Sequence, residues 1–291
     1  MKYTPLLLLL LVAAACNQVV DIPVPSYPPR LAINAYGTDF GGAPDYVQLF
    51  VGKSAGALDD SGDLQVSEAT GQLYRDGVLI ASFVKTPASS QSVIEAQVDL
   101  VADQGTYELR IQSPGLPDVS AVQTMPSRVP ILSAEIDLDG GVDPFGEVAD
   151  RLDVTFQDPA GSRDYYLLRV YQRYETPVGS GQYQYYEKYL EPFSPVAEPS
   201  GDGAIIVEDA SFNGKQFTLS VLDYFESFEG NDFAVVLYHI DEDRYRFERS
   251  SYLYRNADGN PFAEPVTLHS NVEGGYGLFS LSAADSLTIL P

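Results

Sequence analysis

From Leu31 almost to its end the chain is written in short runs that alternate apolar and polar side chains, separated by turns rich in glycine, proline and aspartate. Successive side chains on a strand point to opposite faces, so such runs describe sheets with one face buried and the other wet. Val47, Leu49 and Val51 alternate with polar or aromatic neighbours, and Tyr107, Leu109 and Ile111 point one way while Glu108, Arg110 and Gln112 point the other. Between a run through Leu73 and the triplet Val78-Leu79-Ile80 stands Asp76-Gly77, a dipeptide that accepts the positive φ angles of a two-residue hairpin turn. No helical period appears in this part of the chain. A small antiparallel β-sandwich over residues 31–125 is the simplest container for it.

Pro126 to Pro130 reads as a boundary, after which alternation restarts with Ala134, Ile136 and Leu138, then Leu152, Val154 and Phe156. The turn Asp158-Pro159-Ala160-Gly161 leads into a strand over Tyr165 to Tyr174, and Gly179 to Gly181 returns the chain through Gln182 to Leu190. Phe217, Leu219 and Val221 predict a further strand. Phe233 to Ile240 is apolar on both faces and is expected at the centre of a sheet. One helix is predicted, from Asp241 as N-cap to about Tyr254, with Glu242/Arg246 and Arg244/Glu248 at i,i+4 spacing. With 45% hydrophobic residues the chain can build its core, and with one cysteine it has no disulfide to help. The expectation is an all-β protein of two immunoglobulin-like or fibronectin-like antiparallel β-sandwich domains, residues 31–125 and 126–291, with one short helix near the C-terminus.

Ahead of Leu31 the chain has a different character. Lys2, an apolar stretch from Leu6 through Val12, and the small residues Ala13-Ala14-Ala15 before Cys16 form a charged start, a short hydrophobic segment and a cleavage site. That stretch is too short to span a bilayer and reads as an export signal over residues 1–15. A cysteine directly after the small residues is the acceptor for a diacylglyceryl group, which marks Cys16 as a lipidation site. Two or three acyl chains, at about 0.8 kcal/mol per buried CH₂, hold a protein to a membrane without a transmembrane helix. Asn17 takes the place of the aspartate that retains lipoproteins in the inner membrane, so outer-membrane localisation is expected. Pro23, Pro25, Pro28 and Pro29 make residues 16–30 a semi-rigid extended tether.

Charge narrows the partners. The chain carries 17 Lys and Arg against 41 Asp and Glu; removal of Lys2 with the signal leaves 16 against 41, a net charge of −25. Such a surface repels phosphates and anionic head groups, which argues against nucleic acid.

Further runs carry a resemblance. Asn260-Pro261-Phe262-Ala263-Glu264-Pro265-Val266 and, beyond it, Ser270-Asn271-Val272-Glu273-Gly274-Gly275-Tyr276-Gly277-Leu278-Phe279 resemble a Bacteroidota lipoprotein family known as domain of unknown function 4249. The lipoprotein signal, Leu31-Ala32-Ile33-Asn34, the Asp76-Gly77 hairpin, Gly105-Thr106-Tyr107 and Asp164-Tyr165-Tyr166 agree with it in order. The resemblance implies an immunoglobulin-like outer-membrane lipoprotein, often encoded beside a TonB-dependent receptor, with no assigned catalytic residue.

Several local constellations bear on chemistry. Gly52-Lys53-Ser54-Ala55-Gly56 matches the G-x-S-x-G pattern of a hydrolase nucleophile elbow, but that turn needs a parallel strand before the serine and a helix after it, where this chain reads as loop. Asp137-Leu138-Asp139-Gly140-Gly141-Val142-Asp143 suggests calcium, yet Gly141 breaks the EF-hand spacing and Val148 stands where its bidentate glutamate belongs, leaving a solvated loop as the reading. Asp59, Asp60 and Asp63 are judged in the same way. Two distant histidines, His239 and His269, and a lipidated cysteine offer no zinc set. Tyrosine is the unusual ingredient: Tyr165, Tyr166, Tyr171, Tyr174, Tyr183, Tyr185, Tyr186 and Tyr189 fall on a single hairpin, with Tyr183, Tyr185 and Tyr189 expected on one face as a ligand or partner surface. The functional expectation is a non-catalytic accessory or binding lipoprotein working with a TonB-dependent transporter, without cofactor or metal. The alternative is a surface glycan-binding or adhesion module that uses the tyrosine hairpin.

Overall fold

The computed structural model describes residues 27–290 except 43, 57–63, 88–92, 178, 226–230 and 261. Cys16, the 1–15 signal and all but the last four residues of the 16–30 tether lie outside the described residues.

The first strand, β1 (Leu31–Asp39), buries every second side chain, with Leu31, Ile33 and Ala35 inward. It pairs antiparallel with β2 (Asp45–Lys53), which pairs in turn with β5 (Val93–Val98). Facing them is a second sheet of β3 (Ala69–Arg75), β4 (Val78–Lys85), β6 (Thr106–Gln112) and β7 (Val119–Thr124), in the order β4-β3-β6-β7. Asp76 and Gly77, at φ 48° and 81°, make the β3–β4 hairpin turn where the dipeptide predicted it.

The second half repeats the plan. β8 (Ile131–Val142), β9 (Val148–Gln157), the two-residue β12 (Glu191–Pro192) and β15 (Gln216–Asp223) form a four-stranded sheet, β12-β15-β9-β8. Opposite lie β10 (Tyr165–Glu175), β11 (Tyr183–Glu187), β13 (Ala197–Pro199), β14 (Ile205–Glu208) and β16 (Asn231–Ile240). The last strand, β17 (Tyr276–Ile289), belongs to both halves. Along its first part it runs parallel to β1, from Ala32 opposite Tyr276 to Asp39 opposite Ala283. Along its second part it pairs antiparallel with β16, from Ile240 opposite Ser282 to Phe233 opposite Ile289. A nine-stranded sheet therefore runs through the molecule, β13-β14-β10-β16-β17-β1-β2-β5 with β11 attached to β10, and each small sheet packs on one half of it.

Among the described residues the molecule is an all-β sandwich with one α-helix, and of its strand pairs β1–β17 departs from the antiparallel expectation. Two cores result. The first gathers Leu31, Ile33, Leu49, Leu73, Tyr107 and Leu109, and takes Phe279, Leu281 and Ala283 from β17. The second gathers Phe156, Tyr166, Leu168, Val207, Phe233 and Val235. β16 lies between β10 and β17, as expected of a strand apolar on both faces. Its outward Ile240 joins Tyr165, Leu167 and Ile206 in a third cluster under helix α1 (Glu242–Ala257).

Asp241 caps that helix, its carboxylate accepting from the Arg244 N–H at 2.7 Å, and both predicted i,i+4 pairs form. The stretch read as a solvated loop, Asp137 to Val142, is instead the far end of β8. Its register shifts between Asp137 and Gly141, and the bulge is pinned from β9: Arg151 donates to the Asp137 carboxylate and the Gly140 carbonyl, while the Asp150 carboxylate accepts from the Asp139 N–H.

Candidate functional site

Strand β10 sorts its residues strictly by side. Tyr166, Leu168 and Val170 enter the second core, so Arg169, Tyr171 and Arg173 stand on the opposite, outer face of the long sheet. α1 lies across part of this face, Tyr245 packing on Tyr165 with ring centroids 4.9 Å apart. Where the helix, β10, β16 and β17 meet β1 and β2, a cavity of about 250 Å³ opens. Tyr36, Thr38 and Gln48 line it from the first half, Arg169, Tyr238 and Arg244 from the second, and Ser280 and Ser282 of β17 form part of its lining.

The two guanidinium groups are built in rather than draped over the surface. Arg169, 13% exposed at its side chain, donates to Glu187 of β11 and to Asp202, which in turn accepts from the Ser200 hydroxyl at 2.6 Å. Burial pushes the Asp202 carboxyl up, but Arg169 and Ser200 outweigh it and hold it below the usual range. Arg244 stacks over the Tyr36 ring, 4.3 Å from its centroid, with Nε 2.5 Å from Glu248, a side chain only 5% exposed. Burial raises the Glu248 carboxyl despite that neighbour, and it also raises the Tyr36 and Tyr238 phenols. The Thr38 and Ser282 hydroxyls lie 2.9 Å apart, the Ser280 hydroxyl donates to Asp241 at 2.7 Å, and the Gln48 amide donates to Glu95 at 2.7 Å.

Beside this cavity hangs the tyrosine hairpin. All five residues of β11 are exposed, and Tyr183, Tyr185 and Tyr189 are 44%, 59% and 77% exposed. Tyr185 stands opposite Arg173, whose guanidinium lies 4.6 Å from the Tyr183 ring centroid and donates from Nε to Asp232 at 2.6 Å. Glu187, two residues on, shares this side and holds Arg169, so the strand that displays the tyrosines also braces the cavity. Tyr189 lies beyond the strand end, its ring against Gly203, while Tyr186 meets Tyr174 edge-on at 5.1 Å. The tyrosines thus form a short exposed patch rather than a three-residue stripe.

Three carboxylates that the sequence left scattered also come together. Asp158, Asp164 and Asp209 are buried with ligand-capable oxygens within 4.8 Å of one another. Each is engaged: Asp158 accepts from the Tyr166 hydroxyl at 2.5 Å and the Gly214 N–H at 2.7 Å, Asp164 accepts from Ser162 and contacts His239, and Asp209 accepts from Asn213. Burial lifts the Asp209 carboxyl, whereas His239 and Ser162 overcome the burial of Asp164 and lower it. Such a trio offers hard oxygen donors to a divalent cation, but its hydrogen bonds also serve to lock the turn at 158–164 onto the one at 209–214.

The remaining motifs resolve locally. The Ser54 hydroxyl accepts from the Arg30 N–H at 3.1 Å just beyond the end of β2, an antiparallel strand, while residues 57–63, Asp59, Asp60 and Asp63 among them, lie outside the described residues. His239 contacts the Ser127 carbonyl and Asp164, and His269 contacts Asp243. Among the described residues no helix is long and apolar enough to cross a membrane. Sequence reasoning missed the cavity and the carboxylate trio. The signal available for the cavity was Arg169 alternating with the core residues of β10, and for the trio it was two aspartates flanking one turn.

Residues 18–288 match the profile of a family described as "Domain of unknown function (DUF4249)". No curated protein matches the chain. Among solved structures, "Biofilm associated protein - B domain" is similar at 8% identity and a TM-score of 0.21, over 90% of this chain and 86% of that one. "Fcho1 Mu homology domain (Danio Rerio) with bound Eps15 peptide" is similar at 12% identity and a TM-score of 0.19, over 90% and 96%.

Proposed function

From a chain that belongs to the DUF4249 family, we propose a lipid-anchored, non-catalytic binding protein of the outer membrane, tethered through Cys16 and working with a TonB-dependent transporter. The observation that carries it is the convergence, on one face of the long sheet, of an exposed tyrosine patch and a cavity lined by residues from both halves. Ligand sites favour such junctions, and tyrosine is a frequent anchor of protein interfaces. The acidic surface argues against nucleic acid on electrostatic grounds.

Purification of the native protein in mild detergent with mass spectrometry of co-purifying chains tests this. A transporter recovered with the wild type, and lost together with membrane retention in Cys16→Ser, is the expected result; recovery of no receptor removes the main support. A surface glycan-binding or adhesion module is the second reading, favoured by the exposure of Tyr183, Tyr185 and Tyr189. Glycan-array binding abolished by Tyr183→Ala with Tyr185→Ala would establish it in place of the first.

A further inference from the structure

The cavity beneath α1 has a chemistry that selects its occupant. Its guanidinium groups are already matched by carboxylates: Arg169 by Glu187 and Asp202, Arg244 by Glu248. An anionic ligand would have to approach three carboxylates on a protein of net charge −24, and a cation would meet two arginines. What the walls offer a neutral guest is hydrogen bonding in both directions: guanidinium N–H groups, the Thr38 and Ser282 hydroxyls, and the amide of Gln48, which both donates and accepts. The volume, about 250 Å³, equals the liquid-volume share of roughly eight waters, below the usual range for drug-sized ligands.

We infer that this cavity is a binding site for a neutral, polyhydroxylated small molecule of the size of one sugar ring. Resting on the proposal of a binding protein and deepening it, the assignment places the small ligand at the seam of the two halves and not on the tyrosine hairpin. Vicinal hydroxyls present donors and acceptors side by side, which is what paired guanidinium and carboxylate groups recognise with charge-assisted hydrogen bonds. Because Tyr36, Thr38 and Gln48 come from β1 and β2 while Arg169, Tyr238 and Arg244 come from β10, β16 and α1, an occupant would touch both halves at once.

Saturation-transfer NMR on the intact lipoprotein in detergent, with D-glucose, D-galactose, D-mannose and N-acetyl-D-glucosamine as probes and D-glucuronate as the charged comparison, tests this. At least one neutral sugar is expected to bind, and glucuronate to bind more weakly or not at all. Thr38→Val, which keeps the side-chain shape, and Gln48→Ala on the exposed side of β2 should each weaken that sugar about tenfold, the worth of one hydrogen bond whose partner is left unsatisfied. Circular dichroism melts of both variants confirm that they are folded. Tyr183→Ala with Tyr185→Ala separates the two locations, since a ligand seated on the hairpin loses its affinity with these rings. Preference for glucuronate, binding indifferent to Thr38→Val and Gln48→Ala, binding lost only with the tyrosines, or no binding across the panel would each overturn the assignment. Recovery of a transporter alongside any of these results leaves the binding-protein proposal standing, so the two failures are distinguishable.

Discussion

Asp241 links β16 to α1 as the helix N-cap and reaches back to both neighbouring layers. Its carboxylate accepts from the Arg244 N–H, from the Ser280 hydroxyl, from the Leu281 N–H and from the Gln123 side-chain amide of β7. Burial nevertheless dominates these four donors and lifts its pKa from 3.8 to about 6. A carboxyl whose folded value is raised prefers the neutral form in the native state. Its contribution to stability is therefore fully present below about pH 4 and is lost as pH climbs towards 6, by about 3 kcal/mol in all. Carboxyl-carbon NMR titration of the native protein is expected to place the Asp241 midpoint near 6. A midpoint at the ordinary aspartate value would mean that the four donors, and not burial, set the charge state.

Strand β17 explains why the glycines around residue 275 matter. Gly277 sits at φ +115°, and a Cβ there would collide with the backbone of Ile33 in β1, the strand it pairs with in parallel. Gly277→Ala should accordingly cost at least about 3 kcal/mol, conformational strain and displacement of β1 acting together. Gly259, at φ +75° with open space around it, isolates the strain alone, and Gly259→Ala should cost only about 1 kcal/mol. Equal denaturant midpoints for the two variants would show that the approach to β1 is not tight. The motif Gly274-Gly275-Tyr276-Gly277 was visible in the sequence, but its reason was not. Alternation tells which face of a strand is buried and says nothing about which strand lies beside it. For that reason the Asp76-Gly77 hairpin and the helix after Asp241 could be read locally, whereas a pairing between residues 32 and 276 could not. The cavity depends on that pairing, since Tyr36 and Thr38 of β1 stand beside Ser280 and Ser282 of β17 only through it. Tyr183 and Tyr185 were legible because a hairpin is local; the role of Glu187 in holding Arg169 was not, because the alternation of β10 gives the side of Arg169 without its partner.

At the scale of the whole molecule, one strand supplies both halves. Phe279, Leu281 and Ala283 fill the first core, while the later residues of β17 close the edge of β16. Burying a phenylalanine or a leucine contributes roughly 1.5–3 kcal/mol, so the first core draws about 4 kcal/mol from side chains more than 150 residues beyond its own last strand. A domain of this size has about 5–15 kcal/mol of net stability, which makes that loan comparable to the whole margin before the parallel hydrogen bonds of β1 are counted. Residues 31–125 expressed alone would also expose β1 as an unpaired apolar edge, a template for aggregation. Such a fragment is expected to show no cooperative thermal transition and poorly dispersed amide resonances, and the intact chain to melt its two cores in a single step. Addition in trans of a peptide covering residues 272–284 should restore part of the fragment's structure, because it returns Phe279, Leu281 and Ala283 together with the missing strand. A fragment that melts cooperatively without the peptide would mean that the first sandwich is self-sufficient, and that the seam holding the cavity can open without unfolding either side.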